Sequence, residues 1–195
     1  KEVDGRFELF SVPITGGTVT KLNATPVTGG NVTLQGNAIV KSRVIYVADQ
    51  DTDEQFEVYS VPAAGGTRVK VTGTMVAAGD YQGLGYDSEK IAVREDKDTD
   101  EVLELYGVRL AGGLPLKLNA TLVGGGDVTD WSFTTASNPG AVVYVADQDT
   151  DEKFELYSRT FSLDTEADGV FDRCDRCPLA ADASQADTDG NGVGD

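Results

Sequence analysis

Histidine is absent from this chain, cysteine occurs twice, and methionine and tryptophan occur once each. Without histidine the commonest general base is missing, and so is the usual nitrogen ligand of soft metals. Two cysteines and no histidine fall short of a tetrahedral zinc site. A Ser-His-Asp triad is excluded, and no Gly-x-Ser-x-Gly elbow occurs. Basic residues are scarce: 16 Lys and Arg stand against 33 Asp and Glu, a formal net charge of −17. Such a surface repels phosphate, which argues against nucleic acid and anionic membranes and makes cations its natural counterpart. No apolar stretch approaches the roughly 18 residues that a membrane helix needs, so no membrane insertion is expected. Together these absences point away from an enzyme.

What the chain has is repetition. The stretch from Val142 to Ser158 reads as an apolar, β-branched run, an acidic tip and a second apolar run, the pattern of a β-hairpin. Nearly the same stretch runs from Val44 to Ser60, and a looser copy from Ile91 to Gly107. Asp4 to Ser11 carries only the tip and the second strand, so the chain opens inside a repeat and its N-terminus reads as processed or truncated. The pairs Phe7-Glu8, Phe56-Glu57, Leu103-Glu104 and Phe154-Glu155 recur at intervals of 49, 47 and 51 residues. Gly16-Gly17, Gly65-Gly66 and Gly112-Gly113 then turn the chain into a short further strand: Thr18 to Leu22, Arg68 to Val71, and Leu114 to Leu118. Glycine-rich crossovers lead to the next first strand, best formed at Val128 to Phe133. Each unit is four short antiparallel strands, too small to bury its own face, so neighbours must stack.

The pattern Trp131-Ser132-Phe133, a Ser137-Asn138-Pro139-Gly140 turn, then Val142-Val143-Tyr144-Val145 resembles the TolB-like, WD40-like β-propeller repeat over about residues 1–160. The resemblance implies binding and scaffold surfaces rather than catalysis. Two complete blades, half a blade at the start and three strands of another are too few to close an ordinary ring of four to eight. The expected fold class is therefore all-β: stacked four-stranded antiparallel propeller-type blades in an incomplete or open ring. Open edges are liable to pair with other chains.

From residue 161 the composition changes, and residues 161–195 read as a second unit. Calcium takes oxygen ligands at loop positions 1, 3, 5 and 9, a backbone carbonyl at 7 and a turn glycine at 6. Asp164, Glu166, Asp168, the Val170 carbonyl and Asp172 have that spacing, with Asp175 at position 12. Asp187, Asp189, Asn191, the Val193 carbonyl and Asp195 have it again. No helical period flanks either loop, unlike an EF-hand. Asp172-Arg173-Cys174-Asp175-Arg176-Cys177-Pro178 and Gln185 to Gly190 instead resemble the thrombospondin type 3 repeat, over about residues 164–195. That resemblance implies an irregular, calcium-wrapped tail whose cysteines pair with those of adjacent repeats. Glu166, Arg176 and Asp182 depart from the family pattern, and no partner cysteine lies nearby for Cys174 or Cys177 beyond a local bridge between them. The competing reading of this segment is a disordered acidic tail.

The hairpin tips repeat the spacing with Asp49, Asp51, Asp53 and Glu57; Asp96, Asp98, Asp100 and Glu104; and Asp147, Asp149, Asp151 and Glu155. Glu54, Glu101 and Glu152 stand where a calcium loop has its turn glycine, so a plain solvated turn is the favoured reading. Asn23, Asn31 and Asn119 open Asn-x-Thr triplets that could accept glycans in a secreted protein. Strand Tyr and Phe read as core. The sequence thus points to a non-enzymatic extracellular or cell-surface module, with the periplasm as an alternative. Its partners would be calcium and either a protein or a second copy bound through exposed blade edges. A competing reading is the propeller fragment of a larger secreted hydrolase.

Overall fold

The computed structural model describes residues 5–34, 39–87, 89–134 and 141–160. The described residues hold fourteen short strands and no helix. Three hairpins form where the apolar runs flank an acidic tip: β5 (Arg43–Ala48) with β6 (Glu57–Pro62), β9 (Lys90–Glu95) with β10 (Glu104–Arg109), and β13 (Ala141–Ala146) with β14 (Glu155–Thr160). Their registers are equivalent, pairing Tyr46 with Tyr59, Val93 with Tyr106 and Tyr144 with Tyr157. Each tip closes by a backbone bond of about one turn: Gln55 N–H to Thr52 O, Val102 N–H to Thr99 O and Lys153 N–H to Thr150 O. The residue before each donor is left-handed: Glu54, Glu101 and Glu152 have φ of 62°, 61° and 62°. A non-glycine residue pays strain there, which the surrounding hydrogen bonds described below must offset.

The sheets are antiparallel meanders in chain order. β1 (Phe10–Ser11) pairs with β2 (Thr20–Lys21) alone. In the second sheet, β3 (Val32–Thr33) and β4 (Ile39–Val40) pair with opposite ends of β5 along the same edge; β6 and then β7 (Val69–Lys70) follow. The third sheet runs β8 (Tyr81–Tyr86), β9, β10, β11 (Leu116–Lys117). The fourth runs β12 (Val128–Thr134), β13, β14. The short strands after the Gly-Gly turns are thus present, at two residues each rather than four or five. The register slips near the start of both β8 and β12, between Tyr81 and Gly83 and between Val128 and Asp130, and such bulges bend and twist a strand.

Strand alternation sorts the core into three layers. Leu22 and Leu9 of the first sheet pack with Val44, Tyr46, Ala48, Tyr59 and Val61 of the second. Ile45, Val47, Val58 and Val71, from the other face of the second sheet, pack with Ile91, Val93, Val108 and Leu110 of the third. Ala92, Leu105 and Leu118 then meet Val128, Val142, Tyr144 and Ala146 of the fourth. Each buried Val, Leu or Ile contributes roughly 1.5–3 kcal/mol, so these inter-sheet layers hold the units together.

Candidate functional site

The acidic hairpin tips are the most densely repeated chemistry among the described residues. The first acid of each tip turns inward. Asp49, Asp96 and Asp147 are buried, at 3%, 7% and 3% exposure. Each uses both carboxylate oxygens on backbone amides. One oxygen of Asp49 accepts the N–H of Asn31 at 2.5 Å, and the other accepts that of Glu54 at 3.2 Å. Asp96 accepts from Asp80 and from Glu101, and Asp147 from Asp127 at 2.6 Å and Glu152 at 3.0 Å. The second amide of each pair belongs to the left-handed residue, so this carboxylate pins the strained turn. The Asp127 and Glu152 amides, outweighing the effect of burial, hold the Asp147 carboxyl below its ordinary range. Asp53 and Asp151 lie against the left-handed Gly29 and Gly125, where a Cβ would collide with their carboxylates.

At two tips a pair of the remaining acids shares one lysine. Lys70 binds Asp51 at 2.6 Å and Glu57 at 2.8 Å, and the Tyr59 hydroxyl donates to Glu57 at 2.5 Å. Lys117 repeats this with Asp98 at 3.0 Å and Glu104 at 2.7 Å, with Tyr106 donating to Glu104 at 2.7 Å. In the first sheet Lys21 pairs with Glu8. Burial works against the Lys70 and Lys117 ammonium groups, but the hydrogen bonds and charges of the carboxylates outweigh it and raise both pKa values. Burial likewise pushes Asp98 up, yet hydrogen bonds from Lys117, Tyr106 and Lys97 hold it at about 2. Burial and the neighbouring carboxylates push the Tyr59 and Tyr106 phenols up. In the fourth sheet Tyr157 donates to Asp149 at 3.0 Å and to Glu155 at 3.2 Å, while Lys153, from the tip itself, takes Glu155 at 2.7 Å.

An ammonium therefore sits between the carboxylates at two tips, in the position a bound cation would take. Among the described residues no group of three or more His, Cys, Asp or Glu is placed to hold a metal ion. The sequence reading missed the lysine, although its signal was there: acid and lysine stand thirteen residues apart in all three copies.

Two sequence expectations need correction. Asn23 and Asn119 are buried, their Oδ1 atoms accept the N–H of Leu9 and Leu105 at 2.8 Å, and their amide nitrogens bond Ala24 O and Ala120 O. They seal the end of the short strand and present no amide to a glycan. Asn31 accepts the N–H of Phe7 at 3.3 Å and donates to Gly29 O at 2.8 Å. Strand tyrosines are core as expected, with Tyr46, Tyr59, Tyr106 and Tyr144 buried, but Phe7, Phe56 and Phe154 are exposed. Their recurrence follows a backbone position, not a core position.

That position ties one sheet to the next. Phe56 N–H donates to the Asp80 carboxylate at 2.7 Å, and Tyr81 N–H donates back to Phe56 O at 3.0 Å. Leu103 does the same with Asp127 at 2.6 Å and Val128 at 2.8 Å. Arg94 reaches across the same boundary to the carbonyl oxygens of Val128, at 3.5 Å, and Thr129 at the β12 bulge.

One carboxyl departs from the repeat. Glu95 ends β9 where β5 and β13 end in Ala48 and Ala146. It is fully buried, neither oxygen has a hydrogen-bond partner, and burial pushes its pKa up to about 9.

The calcium-ligand candidates Asp164, Glu166, Asp168, Val170, Asp172, Asp175, Asp187, Asp189, Asn191, Val193 and Asp195, with Cys174 and Cys177, lie outside the described residues. No helix among the described residues is long and apolar enough to cross a membrane. No protein-family model matches the chain, and no curated protein matches its sequence.

Proposed function

We propose that this chain is a non-enzymatic structural and interaction module of the cell exterior or surface, built of propeller-type β-repeats followed by a calcium-stabilised stalk. The observation that carries the reading is the repeated sheet-to-sheet tie at Phe56 and Leu103, which joins successive meanders in one register. The tip acids support a structural role, since amides and lysines occupy them. Calcium enters through residues 164–195, whose carboxylate spacing suits a hard cation with oxygen ligands. Their mutual repulsion opposes compaction, and a divalent ion reverses its sign, so ordering and binding become one event.

Titration of the whole chain with calcium tests this reading. Protease protection of residues 164–195 at millimolar calcium, poor substitution by magnesium, and a β-sheet signal unchanged by chelation are the expected results. Absence of heat and of protection at millimolar calcium would overturn the stalk.

A further inference from the structure

We infer that the outward face of the last sheet, β12-β13-β14, is a docking surface for one further sheet of this same repeat type, entered through a strand that opens on Asp or Asn. The inference rests on the stacking of repeats in the proposed function, but not on calcium.

Three successive boundaries are keyed alike. The N–H of Phe7, Phe56 and Leu103 goes to Asn31, Asp80 and Asp127 of the following sheet, at 3.3, 2.7 and 2.6 Å. The Phe56 and Leu103 carbonyls accept from the next residue of that sheet, Tyr81 or Val128. Phe154 holds the fourth such position. Among the described residues no acceptor meets its N–H and no donor meets its carbonyl. An extended backbone pair of this kind recognises a strand through main-chain bonds, with side-chain pockets adding selectivity.

Among the described residues nothing fills the apolar face beside it either. Val58 and Leu105 are fully buried against the next sheet, whereas Leu156, their counterpart on β14, is 72% exposed. Val143 and Val145 stand where Ile45 and Val47 stand on β5; the β5 pair is buried and the β13 pair only half-buried. The internal boundary between the second and third sheets shows what fits: β8 and β9 bring Asp80 and Tyr81 to the backbone pair, and Leu84, Ile91 and Val93 to the apolar face. Charge favours such an occupant over the chain's own tail: residues 161–195 are rich in Asp, and the Phe154 position lies beside the acidic tip of Asp149 and Asp151. A second copy lacks a free opening strand of this kind among its described residues, since its Asn31, Asp80 and Asp127 are already engaged.

The test uses a synthetic, end-cyclised peptide with the sequence of residues 78–95, added to the isotopically labelled full chain. Amide shifts confined to Val143, Val145, Phe154, Leu156 and their neighbours are expected. Leu156→Asp in the chain should weaken binding at least tenfold. In the peptide, Asp80→Ala should weaken it similarly, and Asp80→Asn should retain it. Three results would overturn the assignment: no shift at millimolar peptide, binding indifferent to Leu156→Asp, or a face already covered, by the tail or by a second copy in a dimer that Leu156→Asp dissociates. Chelation of calcium should leave binding unchanged, so failure here is separable from failure of the stalk.

Discussion

The Asp80 carboxylate accepts the backbone N–H of Phe56 across the boundary between the second and third sheets. Its own N–H is given to Asp96, which also holds the amide of Glu101. One aspartate thus links a sheet edge, a crossover and the next hairpin tip. Removing it takes the acceptor from the Phe56 amide, which lies at an exposed position where water can replace it, so only the net contribution of one hydrogen bond is lost. Asp80→Ala is therefore expected to lower the unfolding free energy, measured by urea denaturation, by about 0.5–1.5 kcal/mol, while Asp80→Asn should stay near wild type. The first boundary already uses an asparagine, Asn31, for the same bond. Equal losses from both substitutions would show that charge, not the hydrogen bond, matters.

Thr72 occupies the position of Asn23 and Asn119, two residues past the short strand. Val71 N–H bonds Val58 O at 2.7 Å just as Leu118 N–H bonds Leu105 O at 2.7 Å, so the local backbone is the same. Yet the buried Thr72 hydroxyl has no partner, whereas the two asparagines each accept a strand amide. Thr72→Asn is expected to stabilise the chain by about 0.5–1.5 kcal/mol, the net contribution of one hydrogen bond. Thermal and urea unfolding measure it, and a loss of stability would mean that the second sheet cannot seat the amide.

Hairpins, order of strands and the all-β class were legible because apolar runs such as Val142 to Val145 and the Gly-Gly turns are local signals. The partnerships were not. An aspartate at a tip reads as solvated, and only the fold reveals that Asp49 lies beneath the turn and holds Glu54 in its left-handed conformation. Asn23 reads as a glycan acceptor because its triplet is local, while the Leu9 amide it serves lies fourteen residues away. The Phe of each Phe-Glu pair suggests core, but what repeats is a backbone pair facing the next sheet. The calcium reading rests wholly on residues 164–195 and on spacing.

Lys117 lies between Asp98 and Glu104, with its ammonium 5.4 Å from the centre of the Tyr106 ring. Lys117→Ala leaves the largely buried Glu104 carboxylate facing Asp98 with the ammonium gone. Asp98 is 44% exposed, so water screens part of the repulsion, and a loss of about 1–3 kcal/mol is expected rather than that of a fully buried pair. The substitution should also make this tip respond to calcium: millimolar calcium should recover part of the lost midpoint. Recovery by sodium chloride at equal ionic strength would reduce the effect to plain screening.

Glu95 sets the expected pH dependence of the sheets. Its carboxyl is pushed to about 9 in the folded chain by burial, against an ordinary value of 4.5. Lys97 opposes the shift, and Asp98, Asp96 and Glu57 add to it. Between these two values the native state binds a proton that the unfolded chain releases, so stability falls as pH rises. The contribution of the neutral acid is fully present below about 4.5 and is lost as pH climbs through about 9, at up to about 1.4 kcal/mol per pH unit. The other hairpins avoid this with Ala48 and Ala146 at the same place. Glu95→Ala should therefore flatten the slope of unfolding free energy between pH 5 and 9, and its advantage over wild type should grow towards the alkaline end. Glu95→Gln should flatten the slope as well, without the gain from removing a buried polar group. A wild-type slope that persists in both variants would place the titrating group elsewhere.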